Sequence, residues 1–342
     1  MSRRPAPPAA PVPEEVGWFD VNTSAGAGMA RRAAAAAADR LGFDETRTTE
    51  VAIVVSEVGS NLYKHGDRGR IVIRCLRSGS RAAVELVAID AGPGMADLVL
   101  SRRDGHSTVG TLGIGMGAIA RLSSQYDAYS GLGRGTVLTV RLWSHKSDST
   151  EPTVGGLCRP TAGEQVCGDR FVSRMHVDGP LMMVVDGLGH GPLAAAAAAA
   201  AVDAFQTTDA DEPAAIVEHV HRSIRQTRGA AVGAAKLDPT HRTVRFAGVG
   251  NIAGFVAAGA DRCAMASVPG IAGYHARSIR AFSYRLEPDA IVVMHSDGVT
   301  DRWSLSAYPG LVKHSALIIA ATLLRDAGTR HDDACVLVAK AA

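Results

Sequence analysis

A short polar segment divides this chain into two stretches that each carry their own folding pattern. Residues 144–153, SHKSDSTEPT, contain a proline, lack apolar periodicity and have the composition of a linker. The chain has 342 residues, which exceeds one typical domain and fits two of roughly 150 residues, each large enough to bury a core. We therefore predict two domains, at 16–143 and 154–342, joined by this linker and preceded by an arm at 1–15.

Charge and cysteine content narrow the partners and the compartment. The formal net charge is +2, with both signs mixed along the chain, so no surface for nucleic acid or for an anionic membrane is indicated. The five cysteines include no C-x-x-C pair, which favours a reducing cytoplasm over a disulfide framework or a zinc site. The arm is broken by prolines, and the longest apolar stretch, 193–202, is far shorter than the ~20 residues that span a bilayer. We expect a disordered arm, no membrane anchor, and a protein or small-molecule partner.

The first stretch combines helical patterns with antiparallel strand patterns. Residues 30–43 and 45–66 have the composition and apolar spacing of helices, and we expect these two helices to come first. Residues 69–94 read as two strands around a Ser-Gly-Ser turn, and 112–143 as a glycine loop, a helix and a closing hairpin. This half is predicted to be α+β, with helices on one face of a largely antiparallel sheet.

Acidic, amide and glycine residues of the first stretch form a candidate phosphate-binding set. Glu57 and Asn61 are four residues apart in a helical pattern, so they share one face, although such a pair is usually a solvated surface. Asp90 follows an apolar strand and enters a loop with Gly92 and Gly94, and further glycines precede a helix in GTLGIGMGAIA, 110–120. Glycines permit close backbone approach, and helix N-termini favour phosphate oxygens. A Rossmann site is disfavoured because no strand leads into these glycines in βαβ order.

One competing signal in this stretch is a C-x₅-R spacing, which is typical of cysteine phosphatases. It is formed by Cys75 and Arg81 in CLRSGSR. The surrounding pattern is strand, turn, strand, and it offers no helix N-terminus to lower the pKa of the thiol. We interpret Cys75 as a strand residue.

In order, SEVGSN, DAGPG, GIGMG and GRGT resemble the Bergerat-fold or GHKL ATPases over residues 16–143, and most of all their RsbT-like and RsbW-like serine kinases. The resemblance implies ATP with Mg²⁺ as cofactor, Asn61 as Mg²⁺ ligand, Asp90 as acceptor for the adenine amino group and Glu57 as general base. It implies further nucleotide contacts from Gly92, Gly94, Gly113, Gly115, Gly117 and Thr136. A base and a metal ligand one helical turn apart suit phosphoryl transfer to a hydroxyl. A histidine kinase is disfavoured, since no helix with a phosphoacceptor histidine precedes the site.

Aspartates stand at the ends of apolar segments in the second stretch. Asp169 opens RFVSRMHV, Asp186 closes LMMVVD, Asp297 closes AIVVMHSD, and Asp332 and Asp333 open ACVLVAK. A single Asp-Gly pair most often forms a hairpin turn, but the repeated arrangement can bring carboxylates to one edge of a sandwich. Such a cluster needs a compensating cation, and oxygen ligands favour Mg²⁺ or Mn²⁺. Two such ions acidify a water and neutralise phosphate oxygens, as phosphomonoester hydrolysis requires.

Strand patterns outnumber helical ones here, with helices expected near 193–206 and 213–228, so we predict two sheets flanked by helices. The motifs GEQVCGD, DGLGHG and AGVGNIAG resemble those of the PPM family of metal-dependent serine/threonine phosphatases, in its SpoIIE and RsbX branch. The resemblance implies two Mn²⁺ or Mg²⁺ ions, with Asp186 bridging them and the carbonyl of Gly187 binding one. It implies that Asp169, Asp297 and Asp332 complete the coordination of the other ion, with Asp333 behind these ligands.

Two further candidate residues in this half are His190 and Arg159. Larger PPM members carry histidine two residues after the bridging aspartate, whereas this chain has Leu188 there and His190 further on. His190 is a candidate general acid, and capping of the helix that follows is the competing interpretation. Arg159 is a candidate phosphate ligand.

The predicted fold class is thus α+β in two domains, a Bergerat-fold α/β sandwich followed by a PPM-type β-sandwich flanked by helices. The family resemblances imply a bifunctional regulator of partner switching, with a serine kinase-like domain and a phosphoserine/phosphothreonine phosphatase domain. They point to a STAS-domain anti-anti-sigma protein as shared substrate in bacterial stress or sigma-factor signalling. The alternative is an RsbW-like anti-sigma module that holds a sigma factor, or an ATP sensor, fused to a phosphatase that is the only enzyme. Nothing in the sequence fixes the oligomeric state.

Overall fold

The computed structural model describes residues 13–79, 81–95, 115–145, 151–276 and 278–341. The chain divides into two compact units, and the division falls between Glu151 and Pro152, inside the polar segment 144–153. Each unit has its own hydrophobic core. In the described parts of the chain, no helix is both long and apolar enough to cross a membrane.

The first unit is built on one five-stranded antiparallel sheet with the order β1-β2-β3-β5-β4. Its strands are β1 Glu14–Asp20, β2 Arg70–Ser78, β3 Arg81–Ile89, β4 Gln125–Gly131 and β5 Gly135–Trp143. Its described helices are α1 Ser24–Arg40, α2 Glu45–His65 and α3 Gly115–Leu122.

Local signals begin the two long helices, and apolar spacing places them on the sheet. The side chain of Thr23 accepts a hydrogen bond from the Gly26 N–H at 3.3 Å, and Asp44 accepts one from Arg47 N–H at 2.7 Å; both are N-caps. The alanines of α1 and the valines of α2 form one core with alternate residues of the strands. Helices therefore cover one face of the sheet, as predicted.

The opposite face of this sheet carries a buried charged row. Glu85 on β3 lies opposite Arg74 on β2 and Arg141 on β5, and it forms ion pairs with both. The side chains of Arg74, Glu85 and Arg141 are 4%, 1% and 9% exposed. Although burial opposes ionisation, the two guanidinium groups lower the pKa of Glu85.

The start of the first unit corrects one prediction. A strand, β1, precedes the two helices, so the helices do not come first, and the expected disordered arm at 1–15 extends two residues too far because Glu14 and Glu15 belong to β1. This edge strand is half-exposed and is held by main-chain pairing to β2, which leaves little apolar pattern to read in the sequence. Residues 1–12 lie outside the described residues.

The second unit contains two five-stranded antiparallel sheets, ordered β13-β10-β9-β8-β7 and β12-β11-β14-β15-β6. The first half of its strands is β6 Val154–Arg159, β7 Asp169–His176, β8 Gly179–Gly187, β9 Ala230–Asp238 and β10 Thr243–Val249. The second half is β11 Ala253–Ala258, β12 Asp261–Met265, β13 Phe282–Arg285, β14 Ile291–His295 and β15 Ala334–Lys340. The helices are α4 Pro192–Thr207, α5 Pro213–Ser223 and α6 Ala316–Ala327.

The two sheets of the second unit pack face to face between helices. Met182 and Val184 of β8 share a core with Met294 of β14 and Leu337 of β15. The other face of the sheet that contains β8 packs against α4 and α5, and α6 packs on β15 and β6. This arrangement confirms the predicted β-sandwich flanked by helices.

Two helices of this unit differ from the prediction. Helix α5 ends at Ser223 rather than 228, because Thr227 bonds back to the Ile224 carbonyl through both its N–H and its hydroxyl and Gly229 follows with φ of 80°. Helix α6 was not predicted at all. Ten of its twelve residues are buried, so it lacks the polar face on which a helical period is recognised.

Candidate active sites in the two units

Helix α2 places the first pair of candidate residues. Glu57 and Asn61 lie one helical turn apart and are both half-buried, while Val58 and Leu62 beside them belong to the core. The carboxylate and the amide are therefore held at the edge of the helix that borders the core. Such a pair can orient a hydroxyl and bind a cation.

Asp90 lies where β3 ends, and its side chain is 7% exposed. Its Oδ1 accepts a hydrogen bond from the Gly92 N–H at 2.7 Å, and its own N–H donates to the Thr136 carbonyl at 3.0 Å. The Thr136 hydroxyl is 3.0 Å from that of Ser130, and Ser130 accepts from the Met95 N–H at 2.8 Å. Asp90, Thr136 and the loop 92–95 thus form one connected polar group. Ser130 also belongs to this group, although the sequence analysis did not identify it.

Glycines allow the main chain to approach closely around Asp90. Gly135 has φ of 75°, and a Cβ there would lie 2.1 Å from the Asp90 carbonyl oxygen. Gly94 has φ of 68°, and a Cβ there would lie 2.1 Å from the Gly131 carbonyl oxygen. Neither position can carry a side chain without moving the loop that holds Asp90.

Two of the three predicted phosphate-binding glycines fall at the start of α3. Gly115 is its first residue and Gly117 is buried in its first turn, with α3 packed against α2. Gly113 lies outside the described residues. A helix N-terminus beside the helix that carries Asn61 suits binding of a metal-chelated phosphate group.

In the second unit, two of the predicted aspartates are direct cross-strand neighbours. Asp169 opens β7, Asp186 lies next to the end of β8, and the two residues are paired in the ladder between these strands. Asp169 is buried at 2% exposure and its Oδ2 has no hydrogen-bond partner. The register of one hairpin therefore brings two carboxylates together at an edge of the sandwich.

The remaining aspartates gather at the same edge. Asp297 follows β14 and accepts a hydrogen bond from Asn251 Nδ2 at 2.6 Å, and both residues are exposed. Asp332 is exposed and accepts from the Asp333 N–H at 2.9 Å. Asp333 is buried and accepts from the N–H groups of Thr161 at 2.7 Å and Gly168 at 2.8 Å. Asp333 thus fixes the main chain directly before Asp169.

Mutual repulsion and burial raise the pKa values of two aspartates at this edge. Burial and the carboxylates of Asp333, Asp297 and Asp332 raise the pKa of Asp169 to about 7, against an opposing hydrogen bond with Ser296. Burial and the carboxylates of Asp169, Asp297 and Asp332 raise the pKa of Asp186 to about 9. An unpartnered buried oxygen among mutually repelling carboxylates fits a cation with oxygen ligands. Among the described residues, however, no three or more acidic, His or Cys side chains are already arranged as a metal site.

Backbone contacts fix the position of Gly187. A Cβ there would lie 2.2 Å from the Ala194 carbonyl oxygen in α4, so the first turn of this helix packs closely against the main chain beside Asp186. The Gly187 N–H donates to the Gly168 carbonyl at 3.1 Å. The chain after Asp186 and the chain before Asp169 are thereby tied together.

The structure tests whether His190 caps the helix that follows it. Its Nδ1 lies 2.9 Å from Glu164 Oε1, whereas the N-cap of α4 is Gly191, with no side-chain cap. The capping interpretation is therefore wrong, because the imidazole is engaged by a carboxylate instead. Glu164 was not identified from the sequence, although it lies in the quoted GEQVCGD. Arg159, the candidate phosphate ligand, donates to the Thr329 carbonyl.

Three cysteines lie beneath the aspartate edge. Cys158 and Cys335 are paired across β6 and β15, and Cys167 lies two residues before Asp169. Burial raises the pKa of Cys158 and Cys335, and the Cys158 thiol together with burial raises that of Cys167. These thiols are protonated packing groups. In the first unit, Cys75 is buried within β2, as predicted.

The folds and sites of the two units define a class of protein: a kinase-like ATPase domain fused to a PPM-type serine/threonine phosphatase domain. Residues 22–142 match the family described as histidine kinase-like ATPase domain, and residues 178–342 match that of stage II sporulation protein E, SpoIIE. Phosphatases of the PPM family depend on metal ions.

Individual relatives agree with this class. The chain is 30% identical over 106 residues to the serine/threonine-protein kinase RsbT of Bacillus subtilis (strain 168), which covers 31% of this chain and 80% of RsbT. Through its first unit the chain belongs to the family of RsbT. It is 29% identical over 90 residues to the phosphoserine phosphatase RsbX of the same organism, covering 26% of this chain and 45% of RsbX.

A solved structure is also similar to this chain. It comes from work on "The bacterial stressosome: a modular system that has been adapted to control secondary messenger signaling", with a TM-score of 0.50 and 28% identity over 56% of this chain and 100% of that one.

Proposed function

We propose that this protein sets the phosphorylation state of a partner protein in both directions. The first unit phosphorylates a serine or threonine with ATP and Mg²⁺, and the second unit removes the phosphate with two Mn²⁺ or Mg²⁺ ions. The shared substrate is a STAS-domain anti-anti-sigma protein of a bacterial stress or sigma-factor circuit. The observation that carries the proposal is the paired Asp169 and Asp186 at the sandwich edge, on the same chain as an RsbT-like nucleotide site.

In the phosphatase unit, the proposed metal ligands are Asp169, Asp186, Asp297, Asp332 and the Gly187 carbonyl. When bound, the ions supply an acidified water and neutralise the phosphate oxygens. Asp333 keeps Asp169 in position through its two backbone hydrogen bonds. Glu164 holds the His190 ring through Nδ1, and Nε2 of that ring donates a proton to the departing oxygen.

In the kinase unit, Asn61 is the proposed Mg²⁺ ligand and Glu57 accepts the proton of the attacking hydroxyl. Asp90 accepts a hydrogen bond from the adenine amino group, and Thr136 lines the base pocket. The loops at Gly92 and Gly94 and the glycines Gly113, Gly115 and Gly117 approach the nucleotide. ATP with Mg²⁺ supplies the phosphoryl group and the charge neutralisation that phosphoryl transfer needs.

Phosphate tracing tests both halves. The full chain is incubated with γ-labelled ATP, Mg²⁺ and a STAS protein, then freed of nucleotide and supplied with Mn²⁺ alone. We expect label to enter the STAS protein in the first step and to be released as inorganic phosphate in the second. Glu57→Ala is expected to abolish the first step while ATP binding remains, and Glu45→Ala, an exposed residue of the same helix, is the control.

The outcome without transfer separates this proposal from its alternative. If no label reaches the partner while ATP still binds, the first unit is an anti-sigma module or an ATP sensor. A sensor changes the rate at which the second unit hydrolyses a small phosphate ester without losing its own γ-phosphate. Absence of hydrolysis in the second step would refute the phosphatase half.

A further inference from the structure

The loop that follows Asp186 runs beside an arginine from the start of the next strand. In the ladder between β8 and β9, Gly187 pairs with Ala230, and the Leu188 N–H donates to the Gly229 carbonyl at 3.0 Å. Arg228 directly precedes this pairing. A Cβ on Gly189 would lie 3.5 Å from Arg228 Nη1, so the guanidinium is in contact distance of the loop between Asp186 and His190.

Within the described residues the Arg228 side chain has no protein partner, in contrast to two other arginines of the second unit. Arg174 donates to the carbonyls of Phe205, Thr208 and Ala210, and Arg159 donates to that of Thr329. Arg228 is exposed, and within the described parts of the chain it makes no hydrogen bond and no ion pair. A guanidinium that bonds no protein acceptor is available to a ligand.

The charges of the site leave a place for such a group. The four proposed ligand carboxylates, Asp169, Asp186, Asp297 and Asp332, balance two divalent cations, so a phosphomonoester dianion adds charge that nothing in that set offsets. Near that set, His190 contacts the carboxylate of Glu164, and Arg159 donates to a main-chain carbonyl. We propose that Arg228 binds the phosphate group of the substrate and of the product, an inference that rests on the proposed phosphatase function. The planar guanidinium can donate two parallel hydrogen bonds to two phosphate oxygens.

Binding of inorganic phosphate tests the role without requiring turnover. The full chain loaded with Mn²⁺ is titrated with inorganic phosphate by calorimetry, in parallel with Arg228→Ala, Arg228→Lys and Arg225→Ala. Arg225 is another exposed arginine three residues earlier and serves as the matched control. Loss of a charge-assisted bidentate contact is expected to weaken phosphate binding about 10- to 100-fold in Arg228→Ala. Arg228→Lys should recover part of the loss, since it keeps the charge but not the fork, and Arg225→Ala should bind as the unaltered protein does.

A second readout separates ligand binding from a structural defect. Because Arg228 carries a positive charge beside the loop that follows Asp186, its removal is expected to leave Mn²⁺ affinity unchanged or slightly tighter, whereas a disturbed loop would weaken it. In phosphopeptide hydrolysis, Arg228→Ala should raise KM and lower kcat/KM by a similar factor.

The outcomes distinguish this inference from the function on which it rests. Phosphate affinity of Arg228→Ala within about twofold of the unaltered protein, or absence of phosphate binding by the unaltered protein, would overturn the inference. Weaker Mn²⁺ binding in that variant would also count against it. If the unaltered protein binds phosphate through Arg228 but hydrolyses no phosphoprotein, the anion site stands and the proposed function fails.

Discussion

Replacement of Asp186 by asparagine should stabilise the metal-free protein and abolish its phosphatase activity at the same time. The amide keeps the shape of the carboxyl and removes its charge. In the metal-free fold the pKa of Asp186 is raised from its ordinary 3.8 to about 9 by burial and by neighbouring carboxylates. At pH 7.5 the folded protein therefore holds a proton on Asp186 that the unfolded chain has released. Taking up this proton on folding costs free energy, and the uncharged amide of the variant avoids that cost.

The size of the effect follows from the pKa shift. Each pH unit above the ordinary pKa corresponds to about 1.4 kcal/mol, which gives at most about 5 kcal/mol at pH 7.5. Asp186 is only partly buried and shares its repulsion with Asp169, so screening and relaxation reduce the figure. We expect a gain of about 1–3 kcal/mol, or about 3–10 °C in the melting temperature of the second unit.

The assay compares thermal unfolding with a chelator and with Mn²⁺, alongside Mn²⁺-dependent hydrolysis of a small phosphate ester. Unaltered protein should gain about 2.7 kcal/mol when Mn²⁺ is at 100 times its Kd, whereas Asp186→Asn should gain much less and hydrolyse nothing measurable. Asp203→Asn, at an exposed site on α4, is the control. A variant less stable than the unaltered protein in chelator, or one with full activity, would refute the reasoning.

Four further expectations concern both units. The pKa values of Asp169 and Asp186 are raised to about 7 and about 9, so the stability that their protonation gives the metal-free fold is complete below pH 3.8 and is lost as pH rises through these values. Mn²⁺ binding at pH 7 should therefore release between one and two protons, measured calorimetrically in buffers of different ionisation enthalpy. No proton release would contradict the proposed cluster of carboxylates. His190→Ala should lower turnover about 100-fold with unchanged Mn²⁺ affinity, and unchanged turnover would exclude acid catalysis by this residue. Asp90→Asn should weaken binding of a fluorescent ATP analogue about 10- to 100-fold, with exposed Asp67→Asn as control, and equal binding would remove Asp90 from the site. Glu85→Gln should reduce the free energy of unfolding of the first unit by about 3–5 kcal/mol in denaturant titrations. The exposed control Glu45→Gln should reduce it by less than about 0.5 kcal/mol, and a small loss for Glu85→Gln would mean that the charged row is well solvated.

Elements with a clear apolar period were predictable, and those that depend on distant contacts were not. Helices α1 and α2 and the hairpin of β2 and β3 are visible in local pattern and capping residues. Strand β1 depends on main-chain pairing with β2 some fifty residues later, and α6 is buried on all sides. Neither leaves a periodic signal in its own residues.

The candidate sites show the same division. The strand-end aspartates were recognisable because each one stands at the end of an apolar run. Glu164, Asn251 and Arg228 were not, because their roles come from contacts made across the fold, with His190, Asp297 and the Gly189 loop. His190 itself was found, and only the geometry excluded capping.

The pairing of Asp169 with Asp186 makes the site sensitive to a turn far from it. The hairpin closes between His176 and Gly179, about 23 Å away along the strands at ~3.3 Å per residue. If the turn kept its geometry, a one-residue insertion there would set Val185 opposite Asp169 and place Asp186 on the other face of this strand pair. In sequence comparisons, the length of this surface turn therefore bears on the proposed metal site, beside the identity of the aspartates.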